Sequence, residues 1–252
     1  MISILSPAKR MVVKDATGNY SIPEFRDEAI ILINKMKTLK PKALQELMDI
    51  SPKLTDHNMK RYYDFSEDHN LNNSLQSVLA YKGDVYIGLE AKKFSNEDLE
   101  FTQNHLRILS GLYGILRPLD LIQEYRLEMG IKIKIGRKND LYQFWQSNIT
   151  NSLNNAIEAS GSNILVNIAS DEYFNVLNVK KLNASIIKIH FREYKDDKLQ
   201  FVSFNAKKAR GSMARYIMKN RINDPEDLKG FDYDGYYFDE KLSNEKELWF
   251  LR

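Results

Sequence analysis

Helical and strand-forming patterns are segregated along this sequence, and the segregation restricts the fold classes open to it. Predicted helices crowd the first half, for example over residues 23–49 and from Ser95 onward. Predicted strands concentrate in the second half, where Ala184–Tyr194 and Leu199–Asn205 form a pair joined by a charged hairpin loop. Because the elements do not alternate as βαβ units, we predict one mixed α+β domain over residues 1–252, not a doubly wound sheet.

Composition excludes several classes of protein. Of 252 residues, 43% are hydrophobic and 28% are charged, which is typical of a globular chain. The absence of cysteine excludes disulfides, thiolate catalysis and cysteine-ligated zinc. No apolar run approaches the roughly 20 residues of a membrane helix, and no signal-peptide pattern is present. We therefore expect a cytoplasmic protein with no membrane association.

The segment Asn205–Arg221 is strongly basic, with six basic residues and no acidic one. Its pattern predicts a strand end, a turn at Gly211 and a helix from Ser212. Helix starts present free N–H groups to anions, so the segment is a candidate phosphate site. A solvated, basic helix start is the alternative. The candidate phosphate-binding residues are Lys207, Lys208, Arg210, Gly211, Ser212 and Arg215.

A second candidate lies within Leu106–Leu121, where a predicted helix runs into two glycines. Gly111 and Gly114 bracket two apolar residues and resemble the hairpin of a helix-hairpin-helix motif, which contacts DNA phosphates without reading bases. A structural turn with glycines for tight packing is the alternative. The candidate DNA-binding residues here are Arg107, Gly111, Gly114 and Arg117.

Polar residues follow two predicted buried strands. Asp171 and Glu172 come just after the apolar run Asn163–Ala169, so they are candidates for a catalytic acid, base or magnesium ligand. Equally, they could occupy the first turn of a short helix capped by Ser170. Lys9 follows the first strand and could join a phosphate-binding cluster, although an ordinary exposed lysine fits as well.

Patterns for metals and common cofactors are missing. The four histidines are not paired at metal-ligand spacing, and no Glu-x-x-His pair of the ferritin type occurs. Neither a Walker loop nor a G-x-G-x-x-G or G-x-S-x-G sequence is present. We expect no metal and no cofactor.

Taken together, the sequence resembles the peroxide-stress protein YaaA family along nearly its whole length. The segments that carry the resemblance are Ser6–Lys9, Lys82–Tyr86, Leu109–Gly130, Leu141–Trp145, Ala169–Phe174, Lys207–Gly211 and Gly235–Glu240. The resemblance implies a cytosolic bacterial protein that protects cells against hydrogen peroxide and keeps free intracellular iron low, which limits oxidative damage to DNA.

The resemblance also implies a single α+β domain that binds double-stranded DNA through a basic cleft. Its helix-hairpin-helix-like element would map onto Leu106–Leu121. An uncharacterised enzyme acting on a nucleotide, a nucleic acid or another phosphate compound is the alternative function. We expect no obligate protein partner. On the DNA-binding hypothesis, the backbone contacts come from Lys9, Arg107, Arg117, Lys207, Lys208, Arg210 and Arg215.

Overall fold

An eight-stranded mixed sheet organises the chain. The structure, a computed structural model, describes residues 1–12, 18–196 and 198–252. The strands are β1 (Ile2–Leu5), β2 (Arg10–Met11), β3 (Leu75–Gln76), β4 (Tyr81–Lys82), β5 (Leu106–Ser110), β6 (Gly114–Leu116), β7 (Leu121–Ile122), β8 (Ile164–Asn167), β9 (Ser185–Lys195), β10 (Lys198–Gln200), β11 (Tyr237–Asn244) and β12 (Glu247–Leu251). The helices are α1 (Arg26–Lys37), α2 (Pro41–Met48), α3 (Pro52–Asp64), α4 (Ser77–Ala80), α5 (Asp84–Leu89), α6 (Asn96–His105), α7 (Leu141–Ala159), α8 (Asp171–Phe174) and α9 (Ser203–Lys219).

The sheet has a parallel centre and antiparallel edges. Strands β12, β9, β8, β1 and β5 lie side by side in that order and run parallel, while β11 and β6 pair antiparallel at the two ends. The predicted strand Ile2–Leu5 is confirmed as β1, and all four of its side chains are buried. Helices and strands share a continuous hydrophobic core. The predicted α+β class is therefore confirmed.

The segregation of helices and strands is only partial. In the second half of the chain, α8 lies between β8 and β9, and α9 lies between β9 and β12, and these three strands join β1 and β5 in the parallel centre. The predicted pairing of Ala184–Tyr194 with the segment that follows is confirmed, but β10 ends at Gln200, and Ser203 already begins α9. Asp197 of the predicted hairpin loop lies outside the described residues.

After the neighbouring parallel strands β1 and β8, the chain continues to strands on opposite sides of this pair. From β1 it proceeds to β5 on one side, and from β8 it proceeds to β9 on the other. Because the two connections diverge, a crevice opens beyond the carboxyl ends of β1 and β8, which is the usual ligand site of open parallel sheets.

The predicted helix-hairpin-helix-like element does not form in Leu106–Leu121. Helix α6 ends at His105, and β5 and β6 form an antiparallel hairpin. The apolar residues of β5 are drawn into the sheet beside β1, where Leu106 is fully buried. Gly114 adopts φ +70° against the ring of Trp145, whose indole N–H donates to the Gly111 carbonyl at 2.9 Å. These glycines permit tight packing, which was the alternative interpretation.

The predicted turn at Gly211 and the helix start at Ser212 are also wrong. Helix α9 begins nine residues earlier, at Ser203, and Gly211 lies buried in its middle. A Cβ at Gly211 would overlap the carbonyl oxygen of Val85 in α5, and one at Gly88 would overlap that of Lys208. Glycine is needed here for close contact between two helices, not for a phosphate-binding turn.

We expect Gly211→Ala to destabilise the protein by about 1–3 kcal/mol or more, because the added methyl group overpacks the contact between α5 and α9. Urea unfolding of the purified variant measures the change. Gly130→Ala is the matched control, since its Cβ would meet Glu172 Oε1 at an ordinary 3.6 Å and should change stability by less than about 0.5 kcal/mol. Equal stability of both variants would contradict the proposed role of Gly211.

No helix among the described residues is long and apolar enough to cross a membrane.

Candidate functional site

A cleft of about 300 Å³ lies in the crevice beyond the carboxyl ends of β1 and β8. It brings together segments that are distant in sequence: the loop after β1, the start of α5, the start of α8 and one face of α9. Its lining residues are Ser6, Pro7, Ala8, Lys9, Arg10, Lys82, Gly83, Asp84, Val85, Glu128, Ser170, Glu172, Tyr173, Lys207 and Arg210.

Hydrogen bonds fix the loop after β1 in the wall of the cleft. The Ser6 hydroxyl accepts from the Ser170 backbone N–H at 2.9 Å and donates to the Ser170 hydroxyl at 3.2 Å. The Tyr86 hydroxyl donates to the Ser6 carbonyl at 3.1 Å, and burial raises the pKa of Tyr86, which keeps it a donor. Gly83 approaches Ala8 so closely that an added Cβ would lie 3.3 Å from the Ala8 Cβ. The loop is therefore anchored to both α8 and α5.

Four cations of the cleft have no ion-pair or hydrogen-bond partner among the residues that the structure describes. Arg10, Lys82, Lys207 and Arg210 form no ion pair or side-chain hydrogen bond with any other described residue. Burial lowers the pKa of Arg210, which the charge of Asp171 partly offsets. Burial and the nearby Lys92 lower the pKa of Lys82. Cations that are partly removed from water and unpaired favour the binding of an anion.

Carboxylates share the cleft with these cations. Glu172 is exposed, and its Oε1 accepts from the Gly130 backbone N–H at 3.2 Å. Asp84 is the first residue of α5. Glu128 is held by Arg126 at 2.9 Å and by Lys9 at 3.2 Å. Two of the three carboxylates, Glu172 and Asp84, are free of ion pairs within the described chain and remain available to a ligand.

The two predicted acids differ in position. Glu172 lines the cleft, whereas Asp171 does not, although it lies close enough to Arg210 to raise the pKa of that guanidinium. Both residues also occupy the first turn of α8, as the structural interpretation of the sequence predicted.

Only part of the basic segment reaches the cleft. Lys207 and Arg210 lie three residues apart on one face of α9 and line the cleft. The others face away: Lys208 pairs with Asp234 at 2.8 Å, and Ser212 donates to the same carboxylate at 3.1 Å. Arg215 pairs with Glu90.

The arginines of Leu106–Leu121 line a different cavity, of about 390 Å³. Arg107 donates to the carbonyls of Gln103 at 3.0 Å and Leu106 at 2.8 Å, and burial lowers its pKa to about 10. Arg117 binds Asp120 through two guanidinium nitrogens, at 3.1 and 3.2 Å. Of the predicted phosphate-binding residues, the cleft thus brings together Lys9, Lys207 and Arg210 only.

Sequence reasoning did not select Arg10, Lys82, Asp84 or Glu128 as site residues. Lys82 and Asp84 flank Gly83 in a segment with no pattern of spacing that indicates chemistry on its own. A signal did exist, because Lys82, Asp84 and Glu128 all fall within segments that carry the family resemblance. Within the described residues, no group of three or more histidines or carboxylates could hold a metal ion.

We expect Tyr86→Phe to lower stability by about 1 kcal/mol, because it removes the hydrogen bond that anchors the Ser6 carbonyl. Urea unfolding measures the loss. The control is Tyr63→Phe, which alters a hydroxyl that is 3.4 Å from the Lys37 carbonyl on a 59% exposed side chain. If both variants unfold at the same urea concentration, the Tyr86 bond does not stabilise the cleft loop.

A comparison with protein-family models identifies the family of the chain. The model described as peroxide stress protein YaaA matches residues 1–242. This range contains every residue that lines the cleft.

Proposed function

The chain belongs to the peroxide stress protein YaaA family, and from that premise we propose that it acts by binding a phosphate-bearing small molecule in the cleft. A role in peroxide stress follows from the family itself. The small molecule, for example a nucleotide, would occupy the space beyond the carboxyl ends of β1 and β8. Any chemistry on it would make the protein an enzyme of the peroxide stress response.

The observation that carries this proposal is the group of cations that form no ion pair or side-chain hydrogen bond within the described part of the chain. Arg210, Lys82 and Lys207 approach one cleft from α9 and from the segment before α5. Phosphate oxygens accept charge-assisted hydrogen bonds from guanidinium and ammonium groups, which are the stronger class of hydrogen bond. A bound phosphate would supply the ion-pair partner that these cations lack among the described residues.

The size and charge of the cleft favour a small molecule over a long polyanion. A volume of about 300 Å³ is at the lower end of the range of small-molecule sites. Glu172 and Asp84 beside the cations would repel additional phosphates, so a DNA backbone gains less here than one phosphate group does. The cleft also lies where the chain leaves β1 and β8 toward opposite sides of the sheet, which is a usual position for small-molecule sites in open parallel sheets.

The same carboxylates give the site its chemical capacity. With phosphate held by Arg210 and Lys82, Glu172 is the group that we propose as a general base or acid, since it lines the cleft and is exposed to it. Asp84, at the start of α5, would contribute a second carboxylate. Asp171 would act through Arg210, as a positioning residue.

We expect Arg210→Ala to weaken the binding of pyrophosphate and of ADP by about 10- to 150-fold, the range for hydrogen bonds to charged groups. Lys207→Ala should weaken binding in the same direction. Isothermal titration calorimetry measures both affinities. Lys208→Ala is the matched control, because Lys208 is adjacent in sequence but is held by Asp234 away from the cleft.

Loss of affinity in Lys208→Ala equal to that in Lys207→Ala would show that general charge, not the cleft, attracts the ligand. Wild-type protein that binds neither pyrophosphate nor ADP would overturn the proposal of a small phosphate-bearing ligand.

Double-stranded DNA is the second candidate ligand, supported by exposed cations at the mouth of the cleft. The side chain of Lys9 is 64% exposed, and Arg10 and Lys207 are exposed as well. These residues could contact backbone phosphates without reading bases. In this case the protein would limit oxidative DNA damage by acting at DNA, in keeping with the expectation that members of the family keep free iron low.

If duplex DNA binds at this mouth, its affinity should fall with salt at a slope of about 0.9 per phosphate neutralised. Removing two contacts in Arg10→Ala/Lys207→Ala should therefore reduce the slope by about 2. Fluorescence anisotropy of a labelled duplex, titrated with salt, measures both slopes. A slope that is identical in wild type and double variant would exclude these residues from DNA contact, and no binding at low salt would exclude this candidate.

A further inference from the structure

The outward face of β9 and β12 presents aromatic rings and cations together. Along β9, alternate side chains are buried in the core, as Ile187, Ile189 and Phe191 are. The intervening side chains point to the other face of the strand. They are Lys188, His190, Arg192 and Tyr194. This outward face is not covered by a hydrophobic layer at Tyr194, whose side chain is 55% exposed.

Trp249 of β12 lies on this face. It stands beside His190 in the parallel register, and the two rings stack with centroids 4.3 Å apart and planes at 17°. The Arg192 guanidinium lies 5.4 Å from the indole centroid. One ring face of Trp249 thus contacts His190, and the side chain remains partly exposed.

Phe201 extends the aromatic surface. It packs over Arg192, with the guanidinium 5.0 Å from the ring centroid, yet Phe201 is 50% exposed. We call the set Tyr194, Phe201, Trp249 and Arg192 the platform. Exposed aromatic rings grouped around one cation indicate a binding surface, because soluble proteins seldom leave several large apolar side chains together in water.

The platform borders the cleft. The pairing of β8 with β9 ends at Asn167 and Lys188, so the second half of β9 projects past the end of β8. The charge of Arg210 lowers the pKa of His190, although burial of that imidazole has the larger effect. Burial lowers the pKa of Arg210 in the cleft, and the charge of Arg192 in the platform lowers it further. Acids also lie beside the platform: Asp239 of β11 is paired with Trp249 in the antiparallel register, and the Glu247 Oε2 lies 3.9 Å from the His190 Nε2.

We propose that the platform binds the unpaired bases of single-stranded nucleic acid. Exposed aromatic rings stack with bases, and neighbouring cations attract the backbone, which is the usual combination in single-strand binding proteins. Sheet faces that carry aromatic side chains bind bases of single-stranded RNA in the same way.

Duplex DNA cannot use these rings, since its bases are stacked within the helix. This binding mode is therefore distinct from the duplex candidate above. A second copy of this chain is a poorer occupant, because a symmetric contact would bring Arg192 and Lys188 close to their own copies.

Intrinsic fluorescence provides a direct test. The protein has two tryptophans, and Trp145 is fully buried, so quenching by an added oligonucleotide reports on Trp249. A 12-mer of oligothymidylate should quench this emission. Anisotropy of the same oligonucleotide, labelled, gives its affinity, which Phe201→Ala should lower by about 5- to 150-fold, the range for loss of one stacked base.

Tyr63→Ala is the matched control, because it removes a 59% exposed aromatic side chain from α3, outside the platform. Phe201→Leu keeps the apolar bulk and removes the aromatic ring, so it should also lose affinity while it folds as the wild type does. Pyrophosphate has no base, so its binding should be unchanged in both Phe201 variants, which separates this inference from the proposed function of the cleft.

Two results would overturn the inference. The first is oligothymidylate affinity that is equal in wild type and in the Phe201 variants, or no binding at all. The second is a wild-type dimer in analytical ultracentrifugation that Phe201→Ala converts to monomer, which would assign the platform to self-association.

Discussion

The pairing of β1 with β5 on one side and β8 on the other is the constraint on which the rest of the molecule depends. All four residues of β1 are buried, so this strand has no alternative position in the sheet. Since the chain leaves β1 and β8 in opposite directions, a crevice must open where they end. The bond between Ser6 and the Ser170 backbone then ties the two strand ends together. The site follows from the topology.

The contact between α5 and α9 determines which side chains enter that crevice. Gly88 and Gly211 allow the two backbones to touch, and this contact sets the rotation of α9 about its axis. With that rotation, Lys207 and Arg210 face the cleft, while Lys208 is directed to Asp234. The two buried glycines thus affect the chemistry of the site indirectly, because they fix which face of α9 is turned toward the cleft.

The distribution of partners separates structural charges from binding charges. Arg107 donates to carbonyl oxygens, Arg117 binds Asp120, and the charge of Arg215 is paired with Glu90. Arg210 has no such partner among the described residues. An arginine whose hydrogen bonds are all made within the protein has little left to offer a ligand, whereas a half-buried and unpaired one does. Net charge alone would not distinguish the two groups.

The sequence by itself determined the α+β class, the buried strand Ile2–Leu5 and the polar residues that follow the strand ends, because apolar periodicity and strand termination are local properties. Only the tertiary structure decided that Leu106–Leu116 is a β-hairpin and that α9 begins at Ser203. An apolar run fits a helix or a strand equally well until a neighbour such as β1 provides hydrogen bonds. Likewise, Asp234, which binds Lys208 and holds it away from the cleft, lies 26 residues further along the sequence. The local pattern therefore could not show that Lys207 lines the cleft and Lys208 does not.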